Sequence, residues 1–399
     1  PDTRIAAAKV ACNFYKNPSK KLKLIGVTGT KGKTTTTFMI KAILEAQGKK
    51  VGLIGTVANY ICGKNLGESS RTTPDSLELQ KLFSDMVEAG AEYAIMEVSS
   101  QALKLHRVDG CDFDIGVFTN FSEDHISDHE HPDMEDYFNS KLKLIERSKA
   151  SFINADDFRV SKIKKLLPEK NIKSYGIDNE ADLIAKDITI TNSSVDFKVK
   201  INGKNERVKT GIPGRFSVYN SLAAISVVSK LGVDAETIKE ALLNVRVPGR
   251  SELVDNKKGL TIMIDYAHSP ESLQSILSAV KSYTRGKVIS VFGCGGDRDK
   301  TKRPIMGKIS TSIADFTIIS DNPRTEDPDT IVNEIEVGAK KAKGKYKKIV
   351  NRTEAIKYAI NMASKNDIIV LAGKGHETYQ EINGIKHHYD EREIIKEVI

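Results

Sequence analysis

The chain has 399 residues, more than one hydrophobic core usually supports, so two or three domains are expected. A composition of 39% apolar and 29% charged residues is that of a packed globular protein and excludes wholesale disorder. The formal charge of +8 comes from lysines and arginines spread along the chain, without basic tracts interleaved with aromatics. That pattern argues against a nucleic-acid partner and for a field that attracts polyanions such as nucleotides.

In chain order, Leu22 to Thr28 reads as a buried strand, Lys33 to Gln47 as a helix closed by Gly48, and Val51 to Thr56 as the next strand, which makes a β-α-β unit. A helix over Asp75 to Ala89 and strands at Tyr93 to Val98 and Phe113 to Thr119 extend the alternation. A mostly parallel sheet flanked by helices follows. Between Ile184 and Thr210 the pattern changes to short alternating strands with an Asn202-Gly203 hairpin signal, as in a small antiparallel patch. A helix over Val218 to Leu231 then ends at Gly232. The turn Val247-Pro248-Gly249-Arg250 places a domain boundary, giving domains over 1–247 and 248–399. Strands at Leu260 to Asp265, Lys287 to Phe292, Asp315 to Ser320 and Asp367 to Ala372, separated by helical segments, make the second domain α/β again.

Cys12, Cys62, Cys111 and Cys294 lie far apart and form no CxxC pair, which argues against a zinc site or a disulfide framework and fits a reducing cytoplasm. No apolar run approaches the roughly 18 residues of a membrane span, and no leader pattern is visible, so neither a span nor an export signal is expected. The chain begins at Pro1 with the first strand close behind, so a missing upstream segment is expected.

Gly29-Thr30-Lys31-Gly32-Lys33-Thr34-Thr35 lies directly after Thr28, between a strand and a helix. Glycines let backbone N–H groups wrap a phosphate chain, the helix N-terminus adds a positive field, Lys33 supplies a mobile cation and Thr34 a hydroxyl for magnesium. Val27 occupies the first glycine position of the general phosphate-loop spacing. Glu97 ends an apolar strand, where a parallel sheet delivers residues to its crevice and a carboxylate can hold Mg2+. His125 follows the next strand and should approach the same crevice. His129 and His131 show no trusted zinc spacing and read as loop residues. In the second half, glycine turns follow predicted strands at Gly293 to Arg298 and at Gly373-Lys374-Gly375-His376-Glu377, but none has the dinucleotide fingerprint. Arg298 and Arg324 suggest carboxylate capture, because a guanidinium grips such groups bidentately.

Several motifs coincide in order: GTKGKTT at 29–35, Thr72-Thr73-Pro74, EVSS at 97–100, His106-Arg107, TNFSEDH at 119–125, and Lys141. They continue with PGR at 248–250, DYAHSP at 265–270, GCGGDRDKTKRP at 293–304, DNPRTEDP at 321–328 and GKGHE at 373–377. The chain closely resembles the Mur ligase family over nearly its whole length, and within it the ligases that add the third residue of the peptidoglycan stem. The resemblance implies an N-terminal domain gripping a uridine nucleotide, for which this stretch has no room, a central ATPase domain and a C-terminal Rossmann-like domain. It implies a cytoplasmic, monomeric enzyme that uses ATP and Mg2+ to join meso-diaminopimelate to UDP-MurNAc-L-Ala-D-Glu through an acyl phosphate.

By the same resemblance, Thr28, Gly29, Thr30, Lys31, Gly32, Lys33, Thr34 and Thr35 would hold ATP, joined by Asn220, Arg250 and His268 on domain closure. Thr34 and Glu97 would hold one metal. A second would sit near His125 and Lys141, with Lys141 carbamylated so that a cation becomes a carboxylate. Thr72, Thr73, Ser99 and Arg107 match positions that hold the muramoyl-dipeptide, while Leu105 stands where some relatives carry a glutamine. Arg298, Asp321, Asn322, Pro323, Arg324, Gly373 and Glu377 match the amino-acid pocket. The alternatives are an L-lysine-adding or folylpolyglutamate-type ligase, against which Arg324 discriminates, and a non-catalytic nucleotide-binding fragment. A dehydrogenase ranks last.

Overall fold

A computed structural model describes every residue except Pro1, Glu68, Ser70, Asp124, His125, Ser127, Asp128 and His129. The chain divides into two units. The first comprises residues up to Thr189 with Asp196–Gly211 and Phe216–Val245, and the second comprises Ile190–Val195, Ile212–Arg215 and Arg246–Ile399.

In the first unit, among the described residues, the strands are β1 (Lys23–Thr28), β2 (Val51–Ile54), β3 (Tyr60–Ile61), β4 (Lys64–Asn65), β5 (Tyr93–Glu97), β6 (Ile115–Phe118), β7 (Ala150–Asn154), β8 (Ile172–Gly176) and β9 (Leu183–Ile184). They form one sheet in the order β4-β3-β2-β5-β1-β6-β7-β8-β9, parallel from β2 to β9. Only the short β3 and β4 are joined by antiparallel pairing, β3 to β2 and β4 to β3. Helices cover both faces of the parallel part, so β5 is buried at every position and β1 at every position after Lys23. This is why their sequences are continuous apolar runs rather than alternations. The order reverses at β1, whose neighbours β5 and β6 both follow it in sequence. The crevice beyond the carboxyl ends of these three strands is where such sheets bind ligands.

The expected antiparallel patch forms as β10 (Lys186–Ile190), β11 (Val195–Ile201) and β12 (Lys204–Thr210). Asn202 and Gly203 between β11 and β12 take φ of 49° and 86°, the left-handed pair that a two-residue hairpin turn requires. Several features escaped the sequence pattern, among them the helices Met134–Arg147 and Ala235–Asn244. The segment before β1 contains a helix, Thr3–Phe14, whose cap Asp2 accepts a hydrogen bond from Arg4 N at 2.9 Å. Strands β7 and β8 were also missed, because their short, serine-bearing runs carry a weak period.

The second unit holds β13 (Glu252–Leu253), β14 (Thr261–Asp265), β15 (Val288–Phe292), β16 (Phe316–Ile319), β17 (Tyr346–Lys348) and β18 (Ile368–Ala372) in the order β13-β14-β18-β15-β16-β17. All neighbours except β13 are parallel. A hairpin of β19 (Tyr379–Ile382) and β20 (Ile385–His388) follows. Parallel strands send their carboxyl ends to one edge, so the loops opening at Tyr266, Gly293, Asp321 and Gly373 share it.

Candidate active site

The phosphate loop leaves β1 at Thr28 and enters the helix Lys33–Ala46 at Gly32, whose φ of 84° favours glycine. A Cβ on Gly32 would come within 2.5 Å of Asn220 Oδ1, and one on Gly29 would collide with the Thr119 hydroxyl. The loop is braced by the end of β6. Thr30 N donates to Asn120 O at 2.9 Å, Lys31 N to Asn120 Oδ1 at 2.8 Å, and the Thr119 hydroxyl to Lys31 O at 2.6 Å. Lys33 Nζ donates to Gly29 O at 2.8 Å and Thr30 O at 3.0 Å, which keeps it folded over the loop. Asn220, from the helix Arg215–Lys230, reaches the same turn and accepts from the Thr36 hydroxyl at 3.4 Å.

Glu97 is 1% exposed at the end of β5. Its Oε2 accepts from Thr34 Oγ1 at 3.0 Å and from Thr56 Oγ1 at 3.1 Å, and its Oε1 from Thr56 N at 2.8 Å. These donors are neutral, and among the described residues Glu97 makes no ion pair. A buried carboxylate beside a hydroxyl, without a cation, fits a hard divalent ion with oxygen ligands. His125 lies outside the described residues. Thr35 is buried in the first turn of the helix after the loop.

Beside the loop, a cavity of about 370 Å³ is lined by Lys33, Arg71, Thr72, Thr73, Arg107 and Lys141, among others. Arg107 Nε pairs with Asp75 at 3.0 Å and its NH1 donates to Thr73 O at 3.2 Å. Thr73 Oγ1 donates to Glu97 O at 2.9 Å and accepts from Ser99 N at 3.0 Å. Thr72 Oγ1 lies 3.1 Å from Thr56 Oγ1. Lys141, 1% exposed on the helix Met134–Arg147, donates to Gly29 O at 2.8 Å and sits 4.4 Å from the Tyr137 ring centroid. Leu105 caps the short helix Ser100–Lys104.

His131, expected to be a loop residue, is fully buried and hydrogen-bonded on both nitrogens, to Asp136 at 2.6 Å and Ser100 at 2.9 Å. Burial holds its pKa below the ordinary value, against the opposing pull of Asp136. Thr56 and Arg71 were likewise missed. Their one available signal was position, at the end of a strand and directly before Thr72.

In the second unit, Arg250 lies 4.8 Å from the Tyr266 ring centroid, and Tyr266 contacts His268 and His376 at centroid distances of 4.6 and 5.0 Å. Burial, aided by Arg250 and Arg392, pushes the His376 pKa down to about 4. The loops after β15 and β16 are fastened together. Gly296 N donates to Asn322 O at 2.8 Å, Thr325 Oγ1 to Asp297 at 2.6 Å, and the fully buried Arg303 grips Glu326 at 2.9 and 3.1 Å. Pro323 is buried between them, where its carbonyl excludes any Cβ at Gly296. Asp321 accepts from Gln380 at 3.4 Å, and burial raises its pKa. Arg324, with φ of 51°, accepts on its carbonyl from Asn383 N at 2.7 Å. Glu377 accepts from the buried Lys374 at 3.2 Å in the turn that starts at Gly373. Among the described residues neither Arg298 nor Arg324 pairs with a carboxylate, so both guanidiniums are available to an anionic ligand.

Comparison with known proteins agrees with this geometry. The Mur ligase middle domain matches residues 27–228 and the Mur ligase glutamate ligase domain matches 249–375. A protein of Caldanaerobacter subterraneus subsp. tengcongensis, named UDP-N-acetylmuramoyl-L-alanyl-D-glutamate--2,6-diaminopimelate ligase, is 51% identical over all of this chain and 82% of its own length. A Clostridioides difficile protein of the same name is 44% identical over all of this chain and 83% of its own length. A solved structure with that name superimposes with a TM-score of 0.74 at 31% identity, covering all of this chain and 83% of the other. A Mycobacterium tuberculosis folylpolyglutamate synthase gives a TM-score of 0.73 at 17% identity over 93% of this chain and 92% of its own, a likeness of fold alone.

Proposed function

The chain belongs to the Mur ligase family of ATP-dependent ligases, and on that premise we propose that it joins meso-diaminopimelate to UDP-MurNAc-L-Ala-D-Glu, releasing ADP and phosphate. The observation that carries this reading is that one cavity is lined both by Lys33 of the phosphate loop and by Arg71 and Arg107. A γ-phosphate and a substrate carboxylate repel each other, and cations on both sides allow them to meet. A carboxylate oxygen of the D-glutamate attacks the γ-phosphorus and ADP leaves. The amine then attacks the acyl carbonyl and phosphate leaves. Lys33 holds the phosphates, while Thr72, Thr73, Ser99 and Arg107 orient the acyl substrate. Mg2+, held by Thr34 and Glu97, would neutralise phosphate charge.

Diaminopimelate differs from lysine by a second α-amino-carboxylate end, so a selective site needs a fixed cation for the extra carboxylate. Arg324 suits this task. Its turn is held by Asn383 and stiffened by Pro323, and its planar guanidinium can grip the carboxylate bidentately. The test is ADP release coupled to precursor and a panel of amino acids, with kcat/KM for diaminopimelate and lysine in wild type and Arg324→Ala. Lysine should be poorer by roughly 10⁴, because it leaves the arginine unpaired. Arg324→Ala should lose about 2–5 kcal/mol with diaminopimelate and change little with lysine. Wild-type preference for lysine, or equal losses with both, refutes this selectivity.

A further inference from the structure

Ser100 lines the cavity beside the phosphate loop but is 4% exposed, and its surroundings fix which way its hydroxyl points. Its Oγ lies 2.9 Å from His131 Nε2, and His131 Nδ1 lies 2.6 Å from Asp136 Oδ2. Asp136 Oδ2 also accepts from Lys104 Nζ at 2.7 Å, and its pKa is lowered because these two partners outweigh the cost of burial. An ionised carboxylate only accepts, so the proton of the imidazole must stand on Nδ1. Burial against the Tyr137 ring, 5.0 Å away between centroids, keeps the ring neutral near pH 7. Nε2 is then an acceptor, and the single hydroxyl proton of Ser100 is donated to it. What Ser100 presents to the cavity is a lone pair.

Most neighbours offer the opposite polarity. Lys33, Arg71 and Arg107 are donors suited to anionic oxygens. Ser99 Oγ already accepts from Ala102 N at 3.2 Å, which leaves its own proton to give. An acceptor set among these donors calls for a ligand that carries an N–H alongside its carboxylates. The surrounding cations disfavour an ammonium and leave a neutral amide as the fitting donor.

We propose that Ser100, oriented by His131 and Asp136, accepts a hydrogen bond from the amide N–H between alanine and glutamate of the acyl substrate. This rests on the ligase reading above and extends it. Ser100 is a substrate contact, and His131 and Asp136 are positioning residues.

The experiment pairs an enzyme change with a substrate change. Steady-state kinetics are measured with the precursor and with its depsipeptide analogue, in which that amide N–H is replaced by an ester oxygen. In wild type the ester should raise the KM for the acyl substrate about 3–10-fold, the worth of one net hydrogen bond. Ser100→Ala should show a similarly raised KM for the amide and no discrimination between amide and ester, with the KM for ATP unmoved. His131→Ala should reproduce this loss, and His131→Gln, whose carbonyl can accept the serine proton, should restore part of it. A purely structural role would not erase discrimination against one substrate atom. Wild-type turnover without amide-ester discrimination, or discrimination that survives in Ser100→Ala, overturns the inference alone. Absence of wild-type turnover overturns the ligase reading and this inference with it. A serine–histidine–aspartate set is also the arrangement of an acyl-transfer nucleophile. A covalent acyl adduct on Ser100, seen in intact mass with ATP and precursor but no amine, would therefore also overturn the inference.

Discussion

At Lys141 a buried ammonium stands where hydrocarbon would cost less, and burying charge is unfavourable unless it is paired or used. Its Nζ donates to Gly29 O at 2.8 Å, inside the phosphate loop. A carbamate expected on the same nitrogen would keep one N–H, and with it this bond, and its oxygens would serve as hard metal ligands. Lys141→Ala should therefore reduce turnover to near background, and formate, a small carboxylate, should partly restore it. Intact mass of the native protein should show a fraction heavier by one carbon dioxide. An active alanine variant together with an unmodified lysine would reduce Lys141 to a packing residue. The sequence marked Lys141, Lys33 and Glu97 through motif order. It missed His131 because a histidine between Glu130 and Pro132 has no local pattern that distinguishes a buried hydrogen-bonded ring from a solvated one.

Two loops of the second unit show what an element adds to its residues. GCGGDRDKTKRP and DNPRTEDP each follow a strand, and both strands were legible as apolar runs. The lock between them was not legible, since Arg303 and Glu326 lie 23 positions apart and each alone reads as a surface charge. Arg303, then the Asp297 N–H and Lys300, hold the Glu326 carboxyl down at about 2, below its ordinary value of 4.5. A carboxyl depressed in the folded state stabilises the fold above its unfolded pKa and loses that contribution as pH falls through the folded pKa. Wild type should therefore melt above Glu326→Gln at pH 7, and the gap should narrow steadily as pH falls from about 4.5 toward 2. A gap that stays constant across that range would mean that the ion pair does not stabilise the unit. Arg298 and Arg324 sit on these two loops, so loosening the lock should also weaken amino-acid binding.

On the scale of the whole molecule, the alternation of strands and helices was legible because buried parallel strands are continuous apolar runs. Strand order was not, since no local signal states that β1 lies between β5 and β6. That order sets Thr34, Glu97 and Thr119 around one crevice. Charge acts on the same scale. The chain carries +8, and in the lining of the cavity beside the phosphate loop the cations Lys33, Arg71 and Arg107 outnumber Glu130 and a carbamylated Lys141. Its proposed substrates, ATP and a uridine diphosphate sugar bearing a peptide carboxylate, are polyanions, so the field should raise their encounter rate. Screening shortens that reach to about 10 Å at 0.1 M salt and less above it, whereas contacts already formed in a buried site are screened much less. Raising potassium chloride from about 0.03 to about 0.3 M should thus lower kcat/KM for both nucleotides several-fold and leave kcat nearly unchanged. A neutral osmolyte at matched osmolality should do neither. If salt lowers kcat and kcat/KM equally, it acts on the bound complex, and the positive charge is surface solvation rather than a guide for substrate.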